Sequence, residues 1–298
     1  MKVIDIVVLT DARYVNPKAT NDYILNVLLE DNLVVKALEK QGLKTLRLAW
    51  DDADFDWSTT QFILFRSTWD YFDRFDEFSD WLNFVSKQTK LLNPERIIRW
   101  NIDKHYLQDL AHKNIHCAPT TFIEVGEQTT LDALYDQHNF DETVLKPVIS
   151  GAARHTYKLT KNNLAEHETI FKTLISKEAM MLQPFQYNIV NKGEISLVLI
   201  AGKYTHGVLK IAKKGDFRVQ DDFGGTVHSY SPTIEEITFA EKTVNACEPK
   251  PIYARVDLFT DNNNQIALAE LELIEPELWF RNNIDAADKL AQAVKKLC

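Results

Sequence analysis

Apolar and polar positions follow two different periods along the first third of the chain. An apolar run at residues 3 to 9 reads as a buried strand, and a loop follows over residues 10 to 18. Ile24, Leu28, Val34, Val35 and Leu38 then fall at helical spacing over about residues 21 to 41, stopped at Gly42. Strands at 44 to 49 and 61 to 65, a helix over 76 to 87 and a last short strand at Leu91-Leu92-Asn93-Pro94 complete the pattern. Strands alternating with helices predict a small parallel α/β unit whose ligands meet the loops at the strands' C-terminal ends. Its third strand ends in Arg66-Ser67-Thr68-Trp69-Asp70-Tyr71, side chains suited to binding anions, hydrogen bonding and stacking, or simply to packing the next helix.

Beyond residue 96 the pattern changes. A helix over 103 to 113 carries Lys104, a strand covers 119 to 123, and a short helix covers 131 to 138. The strand at 143 to 147 carries Lys146 into a loop of small residues, Ser150-Gly151-Ala152-Ala153-Arg154-His155. Such a loop lets backbone N–H groups approach a phosphate, although the glycine spacings of a Walker loop or a dinucleotide fingerprint are missing. A helix over 163 to 176 precedes Met180-Met181-Leu182-Gln183-Pro184-Phe185-Gln186-Tyr187, and strands at 195 to 200 and 204 to 211 flank a turn. The longest flexible run is 213 to 231, with Asp216-Phe217-Arg218-Val219-Gln220 and then Gly224-Gly225; helices are expected over 235 to 246 and 284 to 297.

Between those two helices, residues 251 to 276 read as an antiparallel hairpin with its loop at Asn262 to Gln265. That loop sets Asp257 opposite Glu270 and Arg255 opposite Glu272, so the charges share one face. Ala254, Val256, Leu258, Ala269, Leu271 and Leu273 are then expected on the other. A slip by one residue would mix the faces, which a half-buried sheet resists. Three carboxylates on adjacent strands repel one another unless something positive lies among them, and hard oxygen donors suit magnesium or manganese. The alternative is an exposed hairpin with a solvated polar face.

With 298 residues, 45% of them hydrophobic, the chain can build two or three compact units. A net charge of −9 argues against a general nucleic-acid or membrane-surface binder. Cys117, Cys247 and Cys298 are scattered without paired spacing, as expected in a reducing compartment. The first residues, interrupted by Asp5 and lacking a small-residue cleavage site, read as a strand and not a signal peptide, and no apolar run reaches membrane-spanning length, so the expected location is cytoplasmic. His155, His206 and His228 lack a partner spacing that would make them catalytic.

Taken in order, these features resemble the ATP-grasp superfamily. Within it, the subgroup related to prokaryotic glutathione synthetase and to the ligase that closes D-cycloserine is similar in the segment from Arg66 to Tyr71, in Trp100-Asn101-Ile102-Asp103-Lys104, Pro119-Thr120, Leu145-Lys146-Pro147, Ala254-Arg255-Val256-Asp257 and Glu270-Leu271-Glu272-Leu273-Ile274-Glu275-Pro276. The resemblance implies an N-terminal parallel α/β domain (1–96) followed by a two-subdomain ATP-grasp fold (97–185 and 186–298), of mixed α/β and α+β class. It implies that Lys104 and Lys146 contact ATP phosphates beneath Ser150 and Gly151, that Gln183, Pro184, Phe185 and Gln186 hold adenine, and that Glu194 takes the ribose. Lys210, Arg218 and Arg255 would face the transferred phosphate, with Gly224 and Gly225 beside the substrate. Asp257, Glu270 and Glu272 would hold Mg2+, with Mn2+ as the alternative.

Arg66, Ser67, Trp69 and Asp70 would meet the substrate, Arg66 its carboxylate and Asp70 its ammonium. Many relatives carry asparagine where Glu272 stands, and the loop after Lys146 is poorer in glycine than usual. The implied activity is an ATP-dependent carboxylate–amine ligase acting through an acyl phosphate on an amino acid or small peptide. An ATP-grasp phosphotransferase and a nucleotide-binding module without turnover are the alternatives. Small-molecule carboxylate and amine substrates are the implied partners, a homodimer is kept open, and no nucleic acid or membrane is expected.

Overall fold

The computed structural model describes residues 2–151, 153–219 and 223–298, so Ala152 and Gln220 lie outside the described residues. The chain begins with β1 (Ile4–Thr10), α1 (Asp22–Lys40), β2 (Thr45–Ala49), β3 (Thr60–Ser67), α2 (Phe75–Val85) and β4 (Lys90–Leu92). These strands form a parallel sheet in the order β2-β1-β3-β4. Ile6, Val7, Val8 and Leu9 are all buried, because a parallel sheet is covered on both faces and needs apolar side chains at consecutive positions. Asn21 caps α1 by accepting the Ile24 N–H at 2.8 Å, and Gly42, at φ 74°, makes the left-handed turn that ends it.

Where one helix over 103 to 113 was expected stands the shorter α4 (Tyr106–His112), preceded by a helix that was not anticipated, α3 (Glu95–Ile102). Asp103 takes an extended conformation and its carboxylate accepts the His105 N–H at 2.9 Å, which breaks the helix and leaves Lys104 in the turn.

A second sheet follows, built from β5 (Thr121–Ile123), α5 (Leu131–His138), β6 (Glu142–Pro147), β7 (Tyr157–Thr160), α6 (Leu164–Ile175) and β8 (Met180–Pro184), with antiparallel order β5-β8-β6-β7. After α7 (Tyr187–Lys192) come β9 (Glu194–Ile200), β10 (Lys203–Ile211), β11 (Thr226–Tyr230), α8 (Ile234–Asn245), β12 (Tyr253–Thr260), β13 (Ile266–Glu272) and α9 (Ile284–Lys295). Their antiparallel sheet has the order β11-β10-β9-β12-β13. The fold is thus mixed α/β, a parallel sheet followed by two antiparallel ones. Strand β11 falls inside the run expected to be flexible, and β7 and α7 were not anticipated. No helix among the described residues is long and apolar enough to cross a membrane.

The β12–β13 hairpin has the expected register, Arg255 opposite Glu272 and Asp257 opposite Glu270. The Asp261 carboxylate accepts the N–H groups of Asn263 and Gln265, both at 2.8 Å, and pins the turn. Beyond Asp257 the pairing shifts, and Leu258 faces Leu268. Ala269, expected on the apolar face, is instead the extra residue of a β-bulge and turns toward the cleft, with Leu268 taking its place in the core.

Strand β13 is the last of its sheet, yet its outer edge is not bare. The Leu271 N–H donates to the Tyr106 hydroxyl at 2.9 Å, and Asn101 Nδ2 donates to the Leu271 carbonyl at 2.8 Å. The Leu273 N–H donates to Asn101 Oδ1 at 2.9 Å, and Asn93 Nδ2 donates to the Leu273 carbonyl at 2.7 Å. Side chains from the segment joining the first two sheets therefore satisfy the edge groups that another strand would otherwise pair. Helix α9 returns to pack Ala287, Leu290 and Val294 in one core with Val34 and Leu38 of α1 and Val198 and Val208 of the third sheet.

Candidate active site

A cavity of about 500 Å3 opens where the three sheets meet. Lys146 comes from β6, Glu194 from β9, Lys210 from β10, and Arg255, Asp257, Glu270 and Glu272 from the hairpin; Lys104 enters from the turn before α4. Cations and acids alternate around it. Lys210 Nζ lies 2.9 Å from Asp257 and also pairs with Glu194. Arg255 meets Asp257 through Nε at 2.9 Å and Nη2 at 2.8 Å, and it also contacts Glu272. Lys104 Nζ sits 2.9 Å from Glu270 and donates to the Ser150 carbonyl at 2.7 Å.

Burial and charge divide these groups. Burial would raise the Asp257 carboxyl, but Arg255 and Lys210 hold it well below the usual carboxylate range. Glu270 is likewise lowered against burial, by Lys104 and Lys146. Glu272 goes the other way: burial, helped by Asp257 and Glu270, pushes it up to about 8 despite Arg255. Burial lowers the Lys146 ammonium, partly countered by Glu270.

Among the described residues no three His, Cys, Asp or Glu side chains stand close enough together to hold a metal ion as they are, since each acid is turned toward a resident cation. The donor set nevertheless fits a hard divalent cation. The acids present carboxylate oxygens from one hairpin face, and the burial and neighbouring acids that raise Glu272 are what a bound cation would offset.

The description "Prokaryotic glutathione synthetase, ATP-grasp domain" matches residues 107–258, just over half of the chain. The chain belongs to the ATP-grasp family. It is an ATP-using ligase of the class that forms carbon–nitrogen bonds, and the family works with a divalent metal. Residues 6–93 match the N-terminal domain of D-cycloserine synthetase DcsG. A cycloserine biosynthesis protein, DcsG of Streptomyces lavendulae, is 28% identical over 292 residues, covering 92% of this chain and 93% of that protein. The crystal structure of D-cycloserine synthetase DcsG superposes with a TM-score of 0.86 at 24% identity, covering 98% of this chain and 99% of the other. The D-alanine–D-alanine ligase of Bacillus anthracis gives a TM-score of 0.63 at 14% identity, over 98% and 96% of the two chains. The last two likenesses concern the fold.

In this ATP-grasp cleft, most residues named from the sequence line the cavity: Lys104, Lys146, Ser150, Gly151, Gln183, Pro184, Phe185, Gln186, Glu194, Lys210, Arg218, Arg255, Asp257, Glu270, Glu272 and Trp69. Gly151 fits because it lacks a side chain, since a Cβ there would lie 2.5 Å from the Phe72 ring. Arg218 is paired with Asp216 at 2.7 Å and stacks over Phe223.

Five of the expected substrate contacts are not among the residues lining the cavity. Arg66, 2% exposed, is absent from the cavity wall, lies over the Phe280 ring and donates to the Pro276 carbonyl at 3.0 Å, lining instead a small neighbouring pocket that shares Tyr23, Trp69 and Glu277 with the cavity. Ser67 donates to Asp31 at 2.7 Å. Asp70 accepts from Trp50 Nε1 at 2.7 Å and from Arg74 at 2.9 Å. None of these three lines the cavity: interior partners take the polar atoms of Ser67 and Asp70, while Arg66 is buried with only Nη2 bonded and its Nε and Nη1 without hydrogen-bond partners. Gly224 and Gly225 do not line it either.

Arg13, Tyr14 and Tyr23, which sequence reasoning passed over, line the cavity, as do Tyr71, Glu275 and Glu277. The signal for Arg13 was its place just past the C-terminal end of β1, where a parallel sheet presents ligand-facing loops. Glu275 continued the acidic series after Glu272 but lies beyond the strand, where alternation no longer tells direction.

Proposed function

We propose that the protein is an ATP-dependent carboxylate–amine ligase acting on an amino acid or small peptide through an acyl phosphate. One observation carries the reading: Lys104, Lys146, Lys210 and Arg255 interleave with Glu194, Asp257, Glu270 and Glu272 around one cavity. A metal–nucleotide brings both signs of charge and can replace each of these internal pairs, the phosphates taking the cations and the metal taking the acids. In this reading Lys104 and Lys146 bind phosphates under Ser150 and Gly151. Gln183, Pro184, Phe185 and Gln186 hold adenine, and Glu194 the ribose.

Asp257, Glu270 and Glu272 would hold Mg2+, or Mn2+, which neutralises phosphate oxygens when bound. Lys210, Arg218 and Arg255 stabilise charge as the substrate carboxylate attacks the γ-phosphate. Enclosure protects the acyl phosphate from water until an amine arrives. Trp69, Arg13, Tyr14 and Tyr23 form the wall on the first sheet's side and are the substrate contacts of the reading. An amino-acid-sized substrate agrees with a cavity of about 500 Å3 that must also take a nucleotide. It also agrees with relatives named for cycloserine biosynthesis and for D-alanine–D-alanine ligation. Domain limits near residues 96 and 185 and action in the cytoplasm belong to the same reading.

The test is a panel of amino acids and dipeptides scored for stimulated ADP release, with mass spectrometry of the products. ADP, free phosphate and a condensed product are expected. A stable phosphorylated product would overturn the ligase reading in favour of a phosphotransferase.

A further inference from the structure

Three consecutive backbone carbonyls just after β13 are each held by a side chain. The Tyr253 hydroxyl donates to Ile274 at 2.6 Å, Trp69 Nε1 to Glu275 at 2.8 Å, and Arg66 Nη2 to Pro276 at 3.0 Å. Between them stands Glu275, whose side chain lines the cavity together with the buried Tyr71, the neighbour that most favours its charged form. Three members of the segment from Arg66 to Tyr71 thus converge on Glu275 and the residue after it. Together these restraints fix a carboxyl group beside the acids and cations of the cleft.

We propose that Glu275 takes the proton from the incoming amine and that Tyr71 holds its carboxyl group in position for that transfer. The inference rests on the ligase reading. An ammonium gives one proton to the Glu275 carboxylate, and its nitrogen lone pair forms the C–N bond at the acyl carbon. The C–O bond to phosphate breaks with its electron pair on the phosphate, and the nitrogen's second proton leaves on hydrogen phosphate. Burial pushes the Glu275 carboxyl up to about 7, with Tyr71 and Lys104 pulling it down and Glu270 pushing it up, a range suited to accepting and releasing a proton.

Hydroxylamine separates the two half-reactions, because it is neutral at ordinary assay pH and attacks an acyl phosphate without a base. Wild type, Glu275→Gln and Tyr71→Phe are assayed with ATP, magnesium and the amino-acid panel, scoring hydroxamate against condensed product. Glu275→Gln is expected to keep hydroxamate formation within about threefold of wild type while condensed product falls roughly a hundredfold, and Tyr71→Phe to lower condensed product about tenfold. Equal losses of both products in Glu275→Gln, or no loss of either, would overturn the role of Glu275. A wild-type enzyme that forms neither hydroxamate nor condensed product from any panel member overturns the ligase reading, and this inference with it.

Discussion

Lys146 and Glu270 sit at the centre of the charge network, the lysine on β6 and the glutamate on β13. Replacing either by alanine removes a charge meant for a phosphate or its metal. Lys146→Ala and Glu270→Ala are each expected to lower ATP-dependent ADP release roughly a hundredfold or more in a coupled assay, with cooperative unfolding retained. Away from the cleft, His206 is buried and its ring bonds the Leu278 carbonyl at 2.8 Å. Burial lowers its pKa below the ordinary 6.5, opposed by that hydrogen bond and by Glu30. The unfolded chain therefore takes up the proton first. The stability this group contributes is full above 6.5 and is lost as pH falls through that value toward the folded one. Denaturant titrations between pH 7 and 5 are expected to show a loss of stability that His206→Gln flattens.

At the scale of elements, the hairpin's register was legible because one alternative puts four charges on one face and the other mixes them. Its bulge was not, since Ala-Leu-Ala at residues 267 to 269 reads equally well with either leucine face and an inserted residue leaves no mark on a period of two. The chemistry of Arg66, Ser67 and Asp70 was visible while their direction was not. A strand end can turn its polar groups toward a ligand or toward its neighbours, and here Asp31, Trp50 and Arg74 claim those of Ser67 and Asp70 and Pro276 takes one nitrogen of Arg66. Strands β7 and β11 escaped notice because they are short, and β11, Thr-Val-His-Ser-Tyr, is largely polar. Lys104 was placed on a helix because nothing in Asn-Ile-Asp-Lys-His announces a break except the Asp103 side chain. Asn101 makes a sharper test of the hairpin. It answers one carbonyl and one N–H of β13 in a buried setting, so Asn101→Ala is expected to cost about 3 kcal/mol by chemical denaturation, the two groups left without partners.

For the molecule as a whole, the cores are unequally shared. Helix α9 joins α1, β1 and the third sheet in one cluster, whereas Ile123, Leu134, Leu159, Phe171 and Leu182 of the second sheet and its helices form a cluster of their own. Hydrogen exchange is expected to show the first and third sheets opening together and the second sheet with α5 and α6 opening separately at lower free energy. Saturating Mg-ATP, at about 100 times its dissociation constant, should then add about 2.7 kcal/mol of protection to the second sheet. Uniform protection before and after nucleotide would contradict that division.

The amide clasp along β13 carries a consequence for handling the protein. Open strand margins ordinarily template self-assembly, and lysine or proline commonly guards them. This margin, Ile-Ala-Leu-Ala-Glu-Leu-Glu, is instead guarded by the backbone of His116 and Ala118 at Leu268 and, beyond it, by Asn93, Asn101 and Tyr106, which can detach without the sheet itself melting. Turbidity on warming should therefore begin when the α3–α4 segment lifts away, below the global melting temperature, and a disulfide or ligand that clamps that segment should delay clouding more than it raises the melting point.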